Sequence, residues 1–200
     1  MFSGGRTKEL FEIARANNGF VTATEATSLG IQRRKLASAV DAGLLVRIGR
    51  GLYCTPDTWE DEYAIAQHRF ARGVFSHDTA LYLLSLSDQA PEKLTMSFPQ
   101  GYNTSSAKRS GLITKSSPIG RHNLGTTRLT TPYGNGVRAY DAERTLCDML
   151  RGTAAPDAQR LSPAIRSYLS SKERNVPKLL EYAEALGVKK KVRAYLEVLL

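Results

Sequence analysis

Three consecutive basic residues, Arg33, Arg34 and Lys35, open a segment that also carries Ser38, Arg47 and Arg50, and their spacing suits contact with a phosphate backbone and with base edges. At about 100° per residue, a helix through this segment turns Leu36 and Val40 inward, flanked by Ala37 and Ala39. Arg34, Lys35 and Ser38 then fall on the opposite side, facing a groove. Arg33 lies nearer the buried edge, from where its long side chain reaches a phosphate rather than a base. Arg47 belongs to the strand that follows. Arg50 stands between Gly49 and Gly51, at a tip slim enough to approach a DNA backbone or minor groove. Across the chain 28 Lys and Arg face 19 Asp and Glu, a net +9 that favours a polyanionic partner.

The elements that must hold these side chains are legible around them. Arg6 to Ala16 has an inward stripe of Leu10, Ile13 and Ala14, and Asn17-Asn18-Gly19 ends it. Thr22 and Glu25 have capping-box spacing, which starts a short helix that Gly30 ends. After a brief turn a second helix is predicted from near Gln32 to Gly43. The pattern then alternates, with Leu44, Val46 and Ile48 on one face and Leu45 and Arg47 on the other. Leu52 to Thr55 returns as the second strand of a hairpin. Residues 1–56 therefore read as a winged helix-turn-helix.

Beyond it, 57–200 need a core of their own, and the fold class expected is α+β: the winged helix, then a mixed α/β domain with a small sheet at about 93–140 and helices at about 62–87 and 141–200. Pro56 to Asp61 reads as the boundary, anchored by Trp59. Tyr63, Ala66 and Phe70 make a helix face from Glu62 to Arg72; Ser76 is placed to cap the next helix, with Ala80, Leu81, Leu83 and Leu84 apolar. Ser76-His77-Asp78 are the residue types of a hydrolytic triad, but neighbours at a helix start diverge by about 100° and cannot align with one another. Leu94, Met96 and Phe98 alternate as in a half-buried strand, Gly101 to Ser110 reads as a polar loop, and Gly111–Ser116, Gly125–Thr131 and Val137–Tyr140 as short strands. Tyr133-Gly134-Asn135-Gly136 is a hairpin-turn signal.

No acid occurs between Glu92 and Asp141, while Lys93, Lys108, Arg109, Lys115, Arg121, Arg128 and Arg138 do, which suggests a second basic surface or charge that keeps edge strands apart. From Asp141, a helix cap, the chain reads as helical: Leu146, Met149 and Leu150 inward, then a helix with Pro163 near its start and Ile165, Tyr168 and Leu169 inward. Asn175 caps the next, with Leu180 and Ala183 inward and Gly187 at its end. The last places Val192, Tyr195, Leu196 and Leu199 on one face behind three lysines, whose position at a helix start calls for a counter-charge.

Cys54 and Cys147 have no partner at metal-ligand spacing and read as reduced, buried thiols; His68, His77 and His122 are scattered. No catalytic, metal or cofactor site is expected. The segment MFSGGRTKEL lacks the apolar core of a secretion signal and no run reaches about 18 apolar residues, so a cytoplasmic protein away from membranes is expected.

The order of the pieces resembles the AbiEi family of antitoxins from bacterial abortive-infection toxin-antitoxin operons. GFVTATEATSLGI, AGLLVRIGRGLYC, SHDTALYLLSLSDQAPEKLTMSFP, DAERTLCDML and KLLEYAEALGVKKKVRAYLEVLL carry that resemblance, in that order. The resemblance implies a type IV antitoxin: its winged helix represses the operon by binding promoter DNA with inverted repeats, as a monomer that pairs cooperatively on the DNA. The remainder counteracts a nucleotidyltransferase-like toxin without requiring a stable complex. It assigns Arg34, Lys35, Ser38, Arg47 and Arg50 to DNA. Two other readings are open on the residues. One is a stand-alone winged-helix regulator with a dimerising or ligand-sensing C-terminal domain. The other is a nuclease or transferase using Glu143 and Asp148, which lie about 140° apart on their helix and so fit a shared metal poorly.

Overall fold

The computed structural model describes residues 4–151 and 158–199, with side chains placed for 8–151 and 161–198. The chain is α+β and divides into two compact units: one runs through Ala71 and takes in Thr130–Gly136, the other comprises Arg72–Leu129 and the residues from Val137 onward. The first unit thus runs past Pro56, because the segment after it is needed to close that unit's core.

In the first unit α1 (Gly4–Ala16) buries Leu10 and Ala14 as its stripe predicts. A turn follows in which Gly19, at φ +88°, sits so close to Thr58 that an added Cβ would lie 1.8 Å from its Oγ1. β1 (Phe20–Thr22), β2 (Val46–Gly49) and β3 (Leu52–Cys54) form an antiparallel sheet in the order β1-β3-β2. Helices α2 (Ala23–Ser28) and α3 (Arg33–Asp41) lie between β1 and β2 in the chain. Val21, Ala26, Ile31, Leu36, Ala39 and Leu45 join Leu10 and Ala14 in one apolar cluster.

α4 (Glu62–Arg69) belongs to this unit, and its Ala64 and Ile65 pack on Phe20, Leu52 and Cys54 of the sheet. Tyr63, Ala66 and Phe70 are buried, as their spacing predicts, but the helix stops at Arg69. Trp59 is not an anchor: it is 81% exposed and borders an open groove of about 820 Å³ with Phe11, Pro132 and Tyr133. The residue that holds the junction is Asp61, fully buried. Its Oδ1 accepts from the Tyr63 and Ala64 amides (2.9 and 3.0 Å), capping α4, and its Oδ2 accepts from Thr131 Oγ1 (2.6 Å) and Asn135 Nδ2 (2.7 Å). The predicted Tyr133–Gly136 turn is present, closed by Thr131 N donating to Asn135 O, and Asn18 Nδ2 donates to Gly134 O.

The second unit is built on a five-stranded sheet from β4 (Val74–Phe75), β5 (Thr95–Pro99), β6 (Ile113–Ser117), β7 (Thr126–Thr130) and β8 (Gly136–Tyr140), ordered β6-β5-β4-β8-β7. β4 pairs antiparallel with β5 and parallel with β8, and β5 parallel with β6. β5 is buried on both faces rather than half-buried. Its polar residues are met by α5 (His77–Leu83) and the residue before it: Thr95 N donates to Thr79 Oγ1 at 2.8 Å and Ser97 Oγ to Ser76 Oγ at 2.9 Å. That use of Ser76 replaces the expected cap; its side chain makes no capping bond to α5. The expected polar loop at 101–110 contains a short helix, α6 (Ser105–Arg109), with Ala107 buried, and α7 (Ile119–His122) precedes β7.

Helix α8 (Ala142–Met149), capped by Asp141, is buried nearly all round rather than on one face. Glu143, Arg144, Thr145 and Asp148 are buried together with Leu146 and Cys147, because α5 and α10 (Val176–Leu186) pack against different sides of it. α9 (Ala158–Ser170) carries Pro163 in its interior, not near its start, with that ring on an exposed side. On α10 it is Leu179, Ala183 and Leu186 that are fully buried, Leu180 only half so. α11 (Lys189–Leu199) buries Val192 and Leu196; the side chain of Leu199 lies outside the described ones. The counter-charge called for there is Glu184, which pairs with Lys189, while Lys191 Nζ donates to Leu150 O at 3.0 Å. Both cysteines are free and buried, and burial pushes the Cys147 thiol up to about 12, leaving it inert.

Two histidines in this unit are held neutral by burial. His122, buried, shares Nε2 with Arg72 O at 3.1 Å, and His77 is half-buried; desolvation lowers the pKa of both. A depressed folded pKa contributes stability that is complete above the unfolded value of about 6.5 and is lost as pH falls through the folded value. Thermal midpoints measured from about pH 7.5 to 5.5 are expected to fall across that window, less steeply in His122→Gln. A flat profile would refute the assignment.

Candidate nucleic-acid interface

The helix-turn-helix is fixed by the capping box read from sequence. Thr22 Oγ1 accepts from Glu25 N (3.1 Å), Glu25 Oε2 accepts from Thr22 N (2.9 Å), and Asn17 Nδ2 donates to Glu25 Oε1 (2.9 Å), which ties α1 to the start of α2. Gly30 and Gly43, at φ +73° and +68°, follow α2 and α3.

α3 presents Arg33, Arg34 and Ser38 to solvent, and the Ser38 hydroxyl donates to Arg34 O at 3.0 Å within the helix. The buried stripe is Leu36 with Ala39, so it is centred about 30° from Leu36 toward Ala39; Val40 is only half-buried and Ala37 is exposed. Two consequences differ from expectation. Arg33 is exposed instead of lying at the buried edge, and Lys35, about 40° from Ala39, is half-buried instead of opposite the core. Arg33, Arg34 and Ser38 are the outward set, with Lys35 at its rim.

The wing also differs in register. Leu45 is buried and Val46 45% exposed, on opposite faces as expected, but Arg47 is exposed beside Val46, where a bulge between Arg47 and Gly49 shifts the pairing with β3. Arg47 is exposed, its Nε donating to Gly49 O at 3.3 Å, and Arg50 is exposed at the turn before Gly51, at φ +73°. Sequence reasoning missed what holds the wing in place: Ala23 N, the first residue of α2, donates to Gly51 O at 2.8 Å. A backbone contact of this kind leaves no side-chain signal.

The seven basic residues of the acid-free stretch are exposed except Arg138, which is half-buried, but the strand order spreads them. Lys115 lies on β6 and Arg128 on β7, at opposite edges of the sheet, with Arg138 on β8, Lys108 and Arg109 on α6, Arg121 on α7 and Lys93 just before β5.

Ser76, His77 and Asp78 do not line up as a triad. Ser76 is fully buried, with its Oγ 3.1 Å from His77 Nδ1 and also bonded to Ser97. Glu143 accepts from Tyr168 OH (2.9 Å) and pairs with Lys178 (3.1 Å), while Asp148 pairs with Arg144 (2.9 Å). Among the described residues no three His, Cys, Asp or Glu side chains come together to hold a metal ion, and no helix is long and apolar enough to cross a membrane.

Among solved structures, the chain is similar to the crystal structure of RV2827C protein from Mycobacterium tuberculosis: 15% identity, 96% of this chain and 80% of that one covered, TM-score 0.49. No curated protein matches significantly. Residues 8–56 match a family model described as "Transcriptional regulator, AbiEi antitoxin". That span holds Arg33, Arg34, Lys35, Ser38, Arg47 and Arg50. The N-terminal region of this chain is thus similar to the transcriptional regulators of the AbiEi antitoxin family.

Proposed function

We propose that the chain is the antitoxin of a type IV toxin-antitoxin pair, which represses its own operon by binding inverted repeats in the promoter and counteracts a nucleotidyltransferase-like toxin. The observation that supports this most is the outward set Arg33, Arg34 and Ser38 on α3, beside Arg47 and Arg50 on a wing tied to α2, within the matched segment. In this reading α3 enters the major groove and the wing lies along the adjacent backbone or minor groove. Two copies pair on the repeats, and the exposed basic side chains from Lys93 to Arg138 contribute to DNA contact or to toxin neutralisation.

The test is a mobility-shift titration of the native chain and of Arg34→Ala with Lys35→Ala, against its own upstream region and an unrelated duplex, at two salt concentrations. Tight binding that prefers the upstream region is expected. The variant should lose about one unit of salt slope for each phosphate contact removed. Weak binding equal on both duplexes would withdraw the repressor role. Neutralisation is read separately, by co-expression with the product of any nucleotidyltransferase-like gene adjoining its own.

A further inference from the structure

The second unit contains a cavity of about 270 Å³ lined by His77, Ser97, Lys115, Ser116, Ser117, Arg144, Asp148 and Arg151. Its charges do not balance. Asp148 Oδ2 accepts from Arg144 Nε (2.9 Å) and its Oδ1 from Arg151 Nη1 (3.3 Å), so one carboxylate faces two guanidiniums, and Lys115 adds a third cation. The net excess is two positive charges, the charge that a phosphate dianion neutralises.

Arg144 is fully buried; Nη1 donates to Arg121 O (2.6 Å) and Leu124 O (2.8 Å) and Nη2 to Ser117 Oγ (3.2 Å), which leaves one Nη2 hydrogen without a partner among the described residues. At 0% exposure Arg144 contributes its charge to the site but no surface to it. Ser97 Oγ donates to Ser76 Oγ at 2.9 Å, and Ser76 Oγ lies 3.1 Å from His77 Nδ1; the tautomer that accepts the Ser76 hydrogen on Nδ1 carries its own proton on Nε2, and it is the one the proposal uses. Nε2 has no partner among the described residues. His77 holds this position at φ +53°, a conformation rare outside glycine.

We propose that this cavity binds a phosphomonoester: the phosphate accepts from His77 Nε2, Lys115 and Arg151 close over it, Arg144 adds its buried charge, and the esterified group points outward past the exposed Lys115. The site is separate from the winged helix.

The test uses the full chain carrying Arg34→Ala and Lys35→Ala, to weaken anion binding at the winged helix. The His77 imidazole resonances, assigned by their loss in His77→Gln, are followed by NMR during titration with inorganic phosphate, adenosine monophosphate or adenosine in excess chloride. Saturable shifts with the two phosphates and none with adenosine are expected, weakened roughly tenfold or more by Lys115→Ala with Arg151→Ala. Lys115 is exposed and Arg151 half-buried, and circular dichroism checks that the fold is kept. Equal affinity for the two ligands identifies the free anion as sufficient; preference for the monophosphate extends the site to a nucleotide. No saturable shift, or shifts unchanged in the double variant, would overturn the proposal.

Discussion

Replacing Arg144 by Met is expected to destabilise the folded chain by about 3–5 kcal/mol, because it strips the partner from a buried carboxylate. Asp148 is 4% exposed and would keep only the longer contact from Arg151. Arg121 O, Leu124 O and Ser117 Oγ would also lose their donor, and the Tyr140 ring the guanidinium that stacks 4.2 Å from its centre. Denaturant titration measures the loss. Adding Asp148→Leu is expected to recover part of it, since a pair removed as a unit leaves no orphaned charge. The three orphaned acceptors keep the recovery incomplete. A single-variant loss under about 1 kcal/mol would show that the pair is not holding α8 in place.

The second large effect belongs to Asp61. Asp61→Ala removes a helix cap worth about 1 kcal/mol together with two hydrogen bonds to a charged acceptor, and about 3 kcal/mol is expected in all. Asp61→Asn separates the contributions. An amide whose oxygen keeps the cap at the Tyr63 and Ala64 amides turns its NH₂ toward Asn135 Nδ2, donor against donor. Both variants should speed hydrogen exchange at the Tyr133 and Asn135 amides, which donate to Thr131 Oγ1. Stability of Asp61→Asn within about 0.5 kcal/mol of the native chain would mean that Oδ2 contributes little.

What could be read from the sequence was local. The capping box, the glycines after α2 and α3, the Tyr133–Gly136 turn and the Asn175 cap each depend on residues a few positions apart, and the structure contains all of them. What could not be read depends on distant partners. Asp61 looks like a surface acid in an acidic turn until Thr131 and Asn135 are brought to it. The charges on α8 look like a solvent face, since Arg144 and Asp148 at i and i+4 have the spacing of an ordinary surface ion pair. Within the winged helix, Lys35 moved because the stripe was centred on Val40 rather than on Ala39, an error of one helical position. Val46 and Arg47 are exposed together next to a bulge, which periodicity does not mark.

The first unit is made from two separated parts of the chain, and this sets an order of events during synthesis. The winged helix and α4 emerge from the ribosome first, yet Oδ2 of Asp61 meets its two donors only after residues 131–135 have been added. At about 5–20 residues per second that interval is on the order of ten seconds. Through it the nascent first unit carries a carboxylate that still needs water, and its closure waits until most of the five-stranded sheet has been translated.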